Sequence, residues 1–344
     1  MIVVSGYYGF GNLGDEAILD ALCSDLEALG YGRKEIYVLS GNPKETMLTH
    51  GVQAFSRYNL LDIWRKLGLA DCLISGGGSL FQDVTSRRTI PYYLSLIEMA
   101  LLRKVPVIIY AQGVGPIQSR MYQAWVKRAF RSSMVCSVRD EESARFLHNL
   151  GVSPDKLRVT ADPVFQIRSE RNLTSKSNKI MLNLRPYDEW NNQLNHWIDF
   201  IKMCFDEKMN VEFIPLGPGD EVMGKILRLE CPNLVVHPTL TLFNYGEVFA
   251  DAHLCISMRL HGIIFSALHQ VLTIGLNYDP KVEAISKQLS IPLWDLDSLL
   301  GIEEFAWRVL KRRDYYEKEL SQAVKNLSSI SATNRSMLAQ ALKG

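Results

Sequence analysis

Residues 2–16 read Ile2-Val3-Val4-Ser5-Gly6-Tyr7-Tyr8-Gly9-Phe10-Gly11-Asn12-Leu13-Gly14-Asp15-Glu16. The apolar run IVVS at 2–5 predicts a short strand. Residues 15–29 predict a helix, with Ala17, Ile18, Ala21, Leu22 and Leu26 on one face. Between them stand Gly6, Gly9, Gly11 and Gly14. Glycine allows positive φ and close backbone approach, and a helix N-terminus offers free N–H groups to an anion. Asp15 reads as the N-cap. The spacing matches neither G-x-G-x-x-G nor a Walker loop, so it does not assign a nucleotide.

The same alternation continues outward. EIYVLS, DCLIS, VPVIIYA and VCSV read as further strands, separated by helical patterns at 59–69, 91–104, 120–131 and 141–150. Continuous apolar strands between helices indicate a parallel sheet covered on both faces. The polar stretch 168–179 interrupts the pattern and reads as a linker. Then KIMLNL, VEFIPL, LVVH, HLCISM and VLTIGL resume it, and 301–342 read as an amphipathic helical tail. The expectation is an α/β protein of two Rossmann-like parallel-sheet domains facing a cleft. Their spans are 1–170 and 171–300, and the tail 301–344 is drawn as packing back on the first domain.

Composition bounds the function. A chain of 344 residues with 47% hydrophobic content can bury two cores. A formal net charge of +1 argues against nucleic acid as partner. The six cysteines form no C-x-x-C pair, which removes the usual zinc and redox signatures and fits a reducing cytoplasm. The start MIVVSGYYGFGN lacks the basic segment of a signal peptide. Glu98, Arg103 and Lys104 interrupt the longest apolar stretch, short of a membrane span. Two apolar and basic segments, 60–69 and 121–131, are either ordinary amphipathic helices or contacts with an acidic membrane surface.

In open α/β sheets ligands bind beyond the carboxyl ends of the strands. Three glycine-rich segments follow strands of the first half: Gly9, Gly11, Asn12 and Gly14; Gly77 and Gly78; Gln112 and Gly113. Together they are expected to line one sheet edge with exposed backbone amides. Arg139 follows VCSV, where it either reaches a ligand or pairs with Asp140 or Glu142. The richest cluster is Ser257-Met258-Arg259-Leu260-His261-Gly262, after an apolar strand. An extended backbone would set Arg259 and His261 on one side, with Gly262 turning the chain into a helix at Ile263. A guanidinium neutralises charge developing on a phosphate, and an imidazole moves a proton near neutral pH. Lys281, in Asn277-Tyr278-Asp279-Pro280-Lys281, adds a cation at the next strand end.

In GYYGFGNLGDEA, SGGGSLFQD, QGVGPI, SVRDEES, ADPVF, SMRLHG and NYDPK, the sequence resembles the polysaccharide pyruvyl transferase family, particularly its CsaB-type enzymes. The resemblance covers about 1–290 and implies a GT-B-like fold. It also implies transfer of a pyruvyl group from phosphoenolpyruvate to a sugar, with release of phosphate. The implied product is a 4,6-ketal on β-N-acetylmannosamine of a lipid-linked oligosaccharide diphosphate. Phosphoenolpyruvate enters as substrate, and neither metal nor cofactor is implied. The family's arginine and histidine fall on Arg259 and His261, its lysine on Lys281, its first-loop acid on Asp15 and its strand-end arginine on Arg139.

The expected roles follow. Arg259, Lys281 and Arg139 grip the donor beside Gly262, His261 protonates it, and Asp15 deprotonates an acceptor hydroxyl. Tyr7, Tyr8, Phe10 and Phe81 offer faces for stacking the acceptor sugar. A cytoplasmic protein touching the inner membrane surface completes this reading. Two alternatives stay open at this point. One is a GT-B glycosyltransferase using a nucleotide sugar, with Glu247 or Asp251 toward the ribose. The other is a non-catalytic sugar-binding protein.

Overall fold

The computed structural model describes residues 1–83, 89–167, 177–187, 190–296, 298 and 301–343. The expected linker at 168–179 therefore lies mostly outside the described residues. The chain forms two compact units. The first comprises Met1–Phe10, Asp15–Ile167 and Ser328–Gly344, and the second Gly11–Gly14 and Arg168–Leu327. Residues 301–327 thus group with the second unit, and only the end of the tail groups with the first.

In the first unit the elements run β1 (Ile2–Tyr8), α1 (Leu13–Ala28), β2 (Ile36–Ser40), α2 (Pro43–His50), β3 (Gln53–Ser56), α3 (Leu60–Leu67), β4 (Cys72–Ser75), β5 (Gly78–Phe81), α4 (Thr89–Leu102), β6 (Val107–Val114), α5 (Arg120–Ser132), β7 (Val135–Val138), α6 (Glu141–Asn149) and β8 (Leu157–Val159). The sheet order is β3-β2-β1-β4-β6-β7-β8, with β5 also on β6, and every pairing is parallel. Parallel strands must hide both faces, and the side chains alternate accordingly. Val3, Leu73 and Ile109 pack with Ile63, Leu94, Ile97 and Phe130 on one side. Ile2, Val4, Ile74 and Ile108 pack with Leu19, Leu22 and Leu26 on the other.

The second unit carries β9 (Lys179–Asn183), α7 (Trp190–Asp206), β10 (Asn210–Phe213), α8 (Asp220–Glu230), β11 (Val235–Val236), α9 (Tyr245–Phe249), β12 (Leu254–Ser257), α10 (Leu260–Leu268), β13 (Leu272–Asn277), α11 (Pro280–Leu289), β14 (Leu293–Asp295) and α12 (Ile302–Lys311). Its sheet order is β11-β10-β9-β12-β13-β14, again parallel throughout. Ile302, Ala306 and Val309 seat α12 in this unit's core beside Trp197 and Trp294.

The tail ends in α13 (Arg313–Ser331) and α14 (Thr333–Lys343). Met337, Leu338 and Ala341 join the α1 side of the first unit's core. Buried Asn334 donates to the Ala161 carbonyl at 3.1 Å and accepts from Ser137 Oγ at 3.1 Å. Arg335 donates to Asp25 Oδ1 at 2.9 Å. A satisfied polar contact at the centre of an apolar helix face sets one docking register.

Candidate active site

Three strand ends and one helix start of the second unit meet at one buried amide. Asn183 closes β9, in register with Ser257 of β12. Its Oδ1 accepts from the Arg259 amide and from Ser257 Oγ, each at 3.2 Å. Its Nδ2 donates to the Ile214 carbonyl at 2.9 Å and to Asp220 Oδ2 at 3.2 Å. Asp220 opens α8 and is fully buried. It also accepts from the Leu216 amide at 3.1 Å, and from Arg259 Nε and Nη2, both at 2.6 Å. This two-pronged, charge-assisted contact holds the guanidinium in one plane. Gly217 makes room for it, because a Cβ there would lie 2.9 Å from the guanidinium carbon.

Arg259 is the extended N-cap of α10. His261 therefore stands in the helix's first turn, and the expected strand-like alternation with Arg259 does not occur. Gly262 is also placed differently from expectation. The helix starts at Leu260, so Gly262 makes no turn. Its role is close packing: a Cβ there would meet Ser257 Oγ at 2.3 Å and Leu216 Cδ1 at 2.8 Å. His261 is half-buried, its ring centred 6.3 Å from that of Phe265. Lys281 lies in the first turn of α11, capped by Asp279, with Nζ 3.1 Å from Asp279 Oδ2. Arg259 and Lys281 thus follow the adjacent parallel strands β12 and β13.

In the first unit, β1 runs on to Tyr8 and α1 begins at Leu13. Asp15 accordingly sits inside the helix's first turn rather than capping it. Glu16 braces the loop, accepting from the Gly9 amide at 2.8 Å and pairing with His50 Nε2 at 2.9 Å. Gly9 has φ +75°, and a Cβ there would strike Ser40 Oγ at 2.1 Å. The Gly14 amide donates to Asn12 Oδ1 at 3.2 Å, and exposed Gly11 also has positive φ.

The other two glycine segments are not open amide-lined loops. Gly76–Gly78 are buried and lead into β5, while Gln112 and Gly113 lie buried within β6. The Gly76 amide donates to the Ser5 carbonyl at 2.7 Å, and Gln112 donates through Nε2 to the Gly78 carbonyl. Their glycines answer crowding. A Cβ on Gly76 would lie 2.1 Å from Tyr8 Oη, and one on Gly78 would lie 3.1 Å from Asp15 Oδ1. Such strand ends satisfy their amides internally and leave Asp15 against the Gly78 backbone.

Arg139 is buried, directed to Asp162 Oδ2 at 3.3 Å, Ser79 Oγ at 2.9 Å and Asp140 Oδ2 at 3.6 Å. It packs where a Gly113 side chain would stand. Of the four candidate stacking rings, Tyr8 and Phe81 are completely buried in the core, which removes them as sugar platforms. Tyr7 is 38% exposed and stacks on Phe10 with centroids 4.4 Å apart. Behind Phe10 lies buried Arg57, its guanidinium 5.1 Å from that ring and 4.2 Å from Tyr92.

Sequence reasoning missed Asp220, Asn183, Arg57 and Arg185. For Asp220 a signal existed: Gly217-Pro218-Gly219-Asp220 follows a strand and opens a helix, like the segments that were singled out. Burial pushes the thiols of Cys23, Cys72, Cys136, Cys204 and Cys255 up to about 12. These side chains are core filling and not nucleophiles at neutral pH.

Two parallel-sheet α/β units in one chain define a GT-B-like class, and solved structures share it. UDP-GlcNAc 2-epimerase from Neisseria meningitidis superposes with a TM-score of 0.68 at 13% identity, covering 99% of this chain and 100% of that one. HepE from Anabaena, solved with UDP, gives 0.65 at 10% identity over 99% of both chains. At such identities the likeness is one of fold. In sequence, the amylovoran biosynthesis protein AmsJ of Erwinia amylovora is 23% identical over 294 residues, 75% of this chain and 70% of AmsJ. Residues 12–280 match the family model for polysaccharide pyruvyl transferase. The chain belongs to that family, and it is a transferase of the pyruvyl transferase kind.

Proposed function

We propose that this protein moves a pyruvyl group from phosphoenolpyruvate to two hydroxyls of one sugar, making a 4,6-ketal and releasing phosphate. The observation that carries the reading is Arg259, fixed by buried Asp220 at 2.6 Å at the end of β12, with His261 in the turn that follows. The donor bears a phosphate and a carboxylate, so it needs cationic grips. Arg259 and Lys281 supply them, with Arg139 retained as a further donor residue. His261 delivers a proton to carbon 3, making the methyl group, while an acceptor oxygen bonds to carbon 2. Asp15 takes the proton of that hydroxyl. The second hydroxyl then bonds to carbon 2, its proton returning to His261, as the carbon–oxygen bond to phosphate breaks; phosphate leaves with the electron pair and takes up the proton held by Asp15. No metal or cofactor enters this scheme.

The acceptor in this reading is a lipid-linked oligosaccharide diphosphate carrying β-N-acetylmannosamine, with Tyr7 and Phe10 as its stacking platform. A lipid-linked acceptor places the protein at the cytoplasmic face of the membrane. Exposed Leu60, Leu61 and Leu69 beside Arg65, with Arg103 over the Trp64 ring at 4.9 Å, are consistent with that contact. Sedimentation with phosphatidylglycerol vesicles tests it, and Leu61→Glu, which puts an anion in place of an exposed apolar side chain, should weaken it.

The decisive assay is phosphate release from phosphoenolpyruvate with and without a synthetic acceptor. Acceptor-dependent release, and a product heavier by one pyruvyl ketal, is the expected result. A folded protein that releases none and instead turns over a nucleotide sugar would establish the glycosyltransferase alternative. His261→Asn should abolish turnover and keep donor binding. Near-normal rates in that variant would remove His261 from the mechanism.

A further inference from the structure

The three cations at the carboxyl edge of the second unit's sheet differ in what compensates them. Arg259 is paired with fully buried Asp220, and Lys281 Nζ lies 3.1 Å from Asp279. The third, Arg185, follows β9 and has no carboxylate partner among the described residues. Arg185 Nη1 donates to the Tyr278 phenol oxygen at 3.2 Å, and the guanidinium lies 5.5 Å from that ring's centre. A phenol holds a guanidinium in place without cancelling its charge.

Its position is equally specific. β12 lies between β9 and β13 in the sheet. A side chain that starts at the end of β9 and reaches Tyr278, just past β13, must cross the carboxyl end of β12. There the chain enters Arg259 and His261. The Arg185 amide donates to Met258 Sδ at 3.4 Å, which ties its backbone to the same place. Pro186 biases the Arg185 backbone away from the helical region, and Tyr278 holds the side chain. Tyr278 immediately precedes Asp279, which caps α11 and pairs with Lys281.

We propose that Arg185, held by Tyr278, is a donor-binding residue that grips the carboxylate of the three-carbon donor and leaves the phosphate to Arg259 and Lys281. This rests on the pyruvyl-transfer reading above. Among the described residues Arg185 is the cation of the three that no carboxylate compensates, and its planar fork suits a carboxylate. It would make the site select an anionic enol phosphate over a plain phosphate ester.

The test is calorimetric titration of the full chain with two separate probes, phosphoenolpyruvate and inorganic phosphate. Wild type, Arg185→Ala, Arg185→Lys and Tyr278→Phe are compared, with melting curves to verify folding. Arg185→Ala should weaken phosphoenolpyruvate at least about tenfold, the loss of a charge-assisted contact, and change phosphate affinity by less than about twofold. Arg185→Lys should fall between, since it keeps the charge and loses the fork. In turnover, KM for the donor should rise more than kcat falls. Undiminished phosphoenolpyruvate binding by Arg185→Ala overturns the proposal, as does an equal loss for both probes. Should Arg185→Ala not fold, wild-type affinity in Arg185→Lys overturns it instead. A wild type that binds phosphate but not phosphoenolpyruvate overturns the pyruvyl-transfer reading itself, and this assignment with it.

Discussion

Replacing Asp220 by alanine is the sharpest probe of how the second unit holds its arginine. The carboxylate is fully buried and takes two guanidinium contacts at 2.6 Å, besides the Leu216 amide and Asn183 Nδ2. Hydrogen bonds to charged groups contribute roughly 1.5–3 kcal/mol each, so the two from Arg259 together give about 3–6 kcal/mol. Breaking one side of a buried ion pair costs about 3–5 kcal/mol, because the remaining charge is stranded. The two routes agree, and Asp220→Ala should destabilise the second unit by about 4 kcal/mol. Urea unfolding followed by tryptophan fluorescence reads it, since Trp197 and Trp294 sit edge to face in that core at 6.1 Å. Turnover should fall about a hundredfold as the guanidinium loses its fixed place. Removing both charges, in Asp220→Leu with Arg259→Met, should recover more than half of the lost stability. A loss below about 1 kcal/mol in Asp220→Ala, the size of an ordinary surface pair, would refute the argument that this pair organises the site.

Three further outcomes follow from the geometry. Gly262→Ala should cost about 1–3 kcal/mol by melting, since its Cβ would overlap Ser257 Oγ and Leu216 Cδ1. Asn334→Ala should loosen α14 from the first unit by about 1–3 kcal/mol, leaving Ser137 and Ala161 without their partner, and hydrogen exchange in α14 would show it. Burial pulls the His50 pKa down, but hydrogen bonds and ion pairing to the Asp20 and Glu16 carboxylates outweigh it and hold the folded value above the ordinary 6.5. Its contribution is therefore complete below about pH 6.5 and is lost as pH rises through the folded value. Urea midpoints should decline over that window in wild type and stay flatter in His50→Gln. An unchanged slope would mean the contact with Glu16 carries no linkage.

Much of the fold was legible because parallel strands and their helices obey local rules. Each apolar run from IVVS to VLTIGL is a strand, and each lies where a sheet with two covered faces needs one. The reading missed the short elements β3, β5, β8, β14 and α2, and its other errors are at the ends of elements. β1 and β6 continue past the apolar runs into glycine-containing sequence, because pairing with neighbours extends a strand beyond its hydrophobic stretch. The Gly14 amide, read as open, is taken up by Asn12, and the strand end before Gly77 and Gly78 is closed by the Gly76 amide on Ser5. A local pattern shows where glycine is needed, but not whether a ligand or a neighbouring side chain requires it.

The sequence by itself determined the class of fold, the family, and the strand-to-helix junctions near which Arg259, His261, Lys281, Asp15 and Arg139 stand. These follow from periodicity and short motifs, which are properties of neighbouring residues. Only the tertiary structure decided which charges are compensated and which rings are buried. Asp220 finds Arg259 across 39 residues of chain, and Arg185 reaches Tyr278 across 93. Tyr8 and Phe81 leave the surface while Tyr7 and Phe10 stay near it. Pairing and burial depend on strand order in the sheet, and strand order is fixed by non-local packing that no short window of sequence contains.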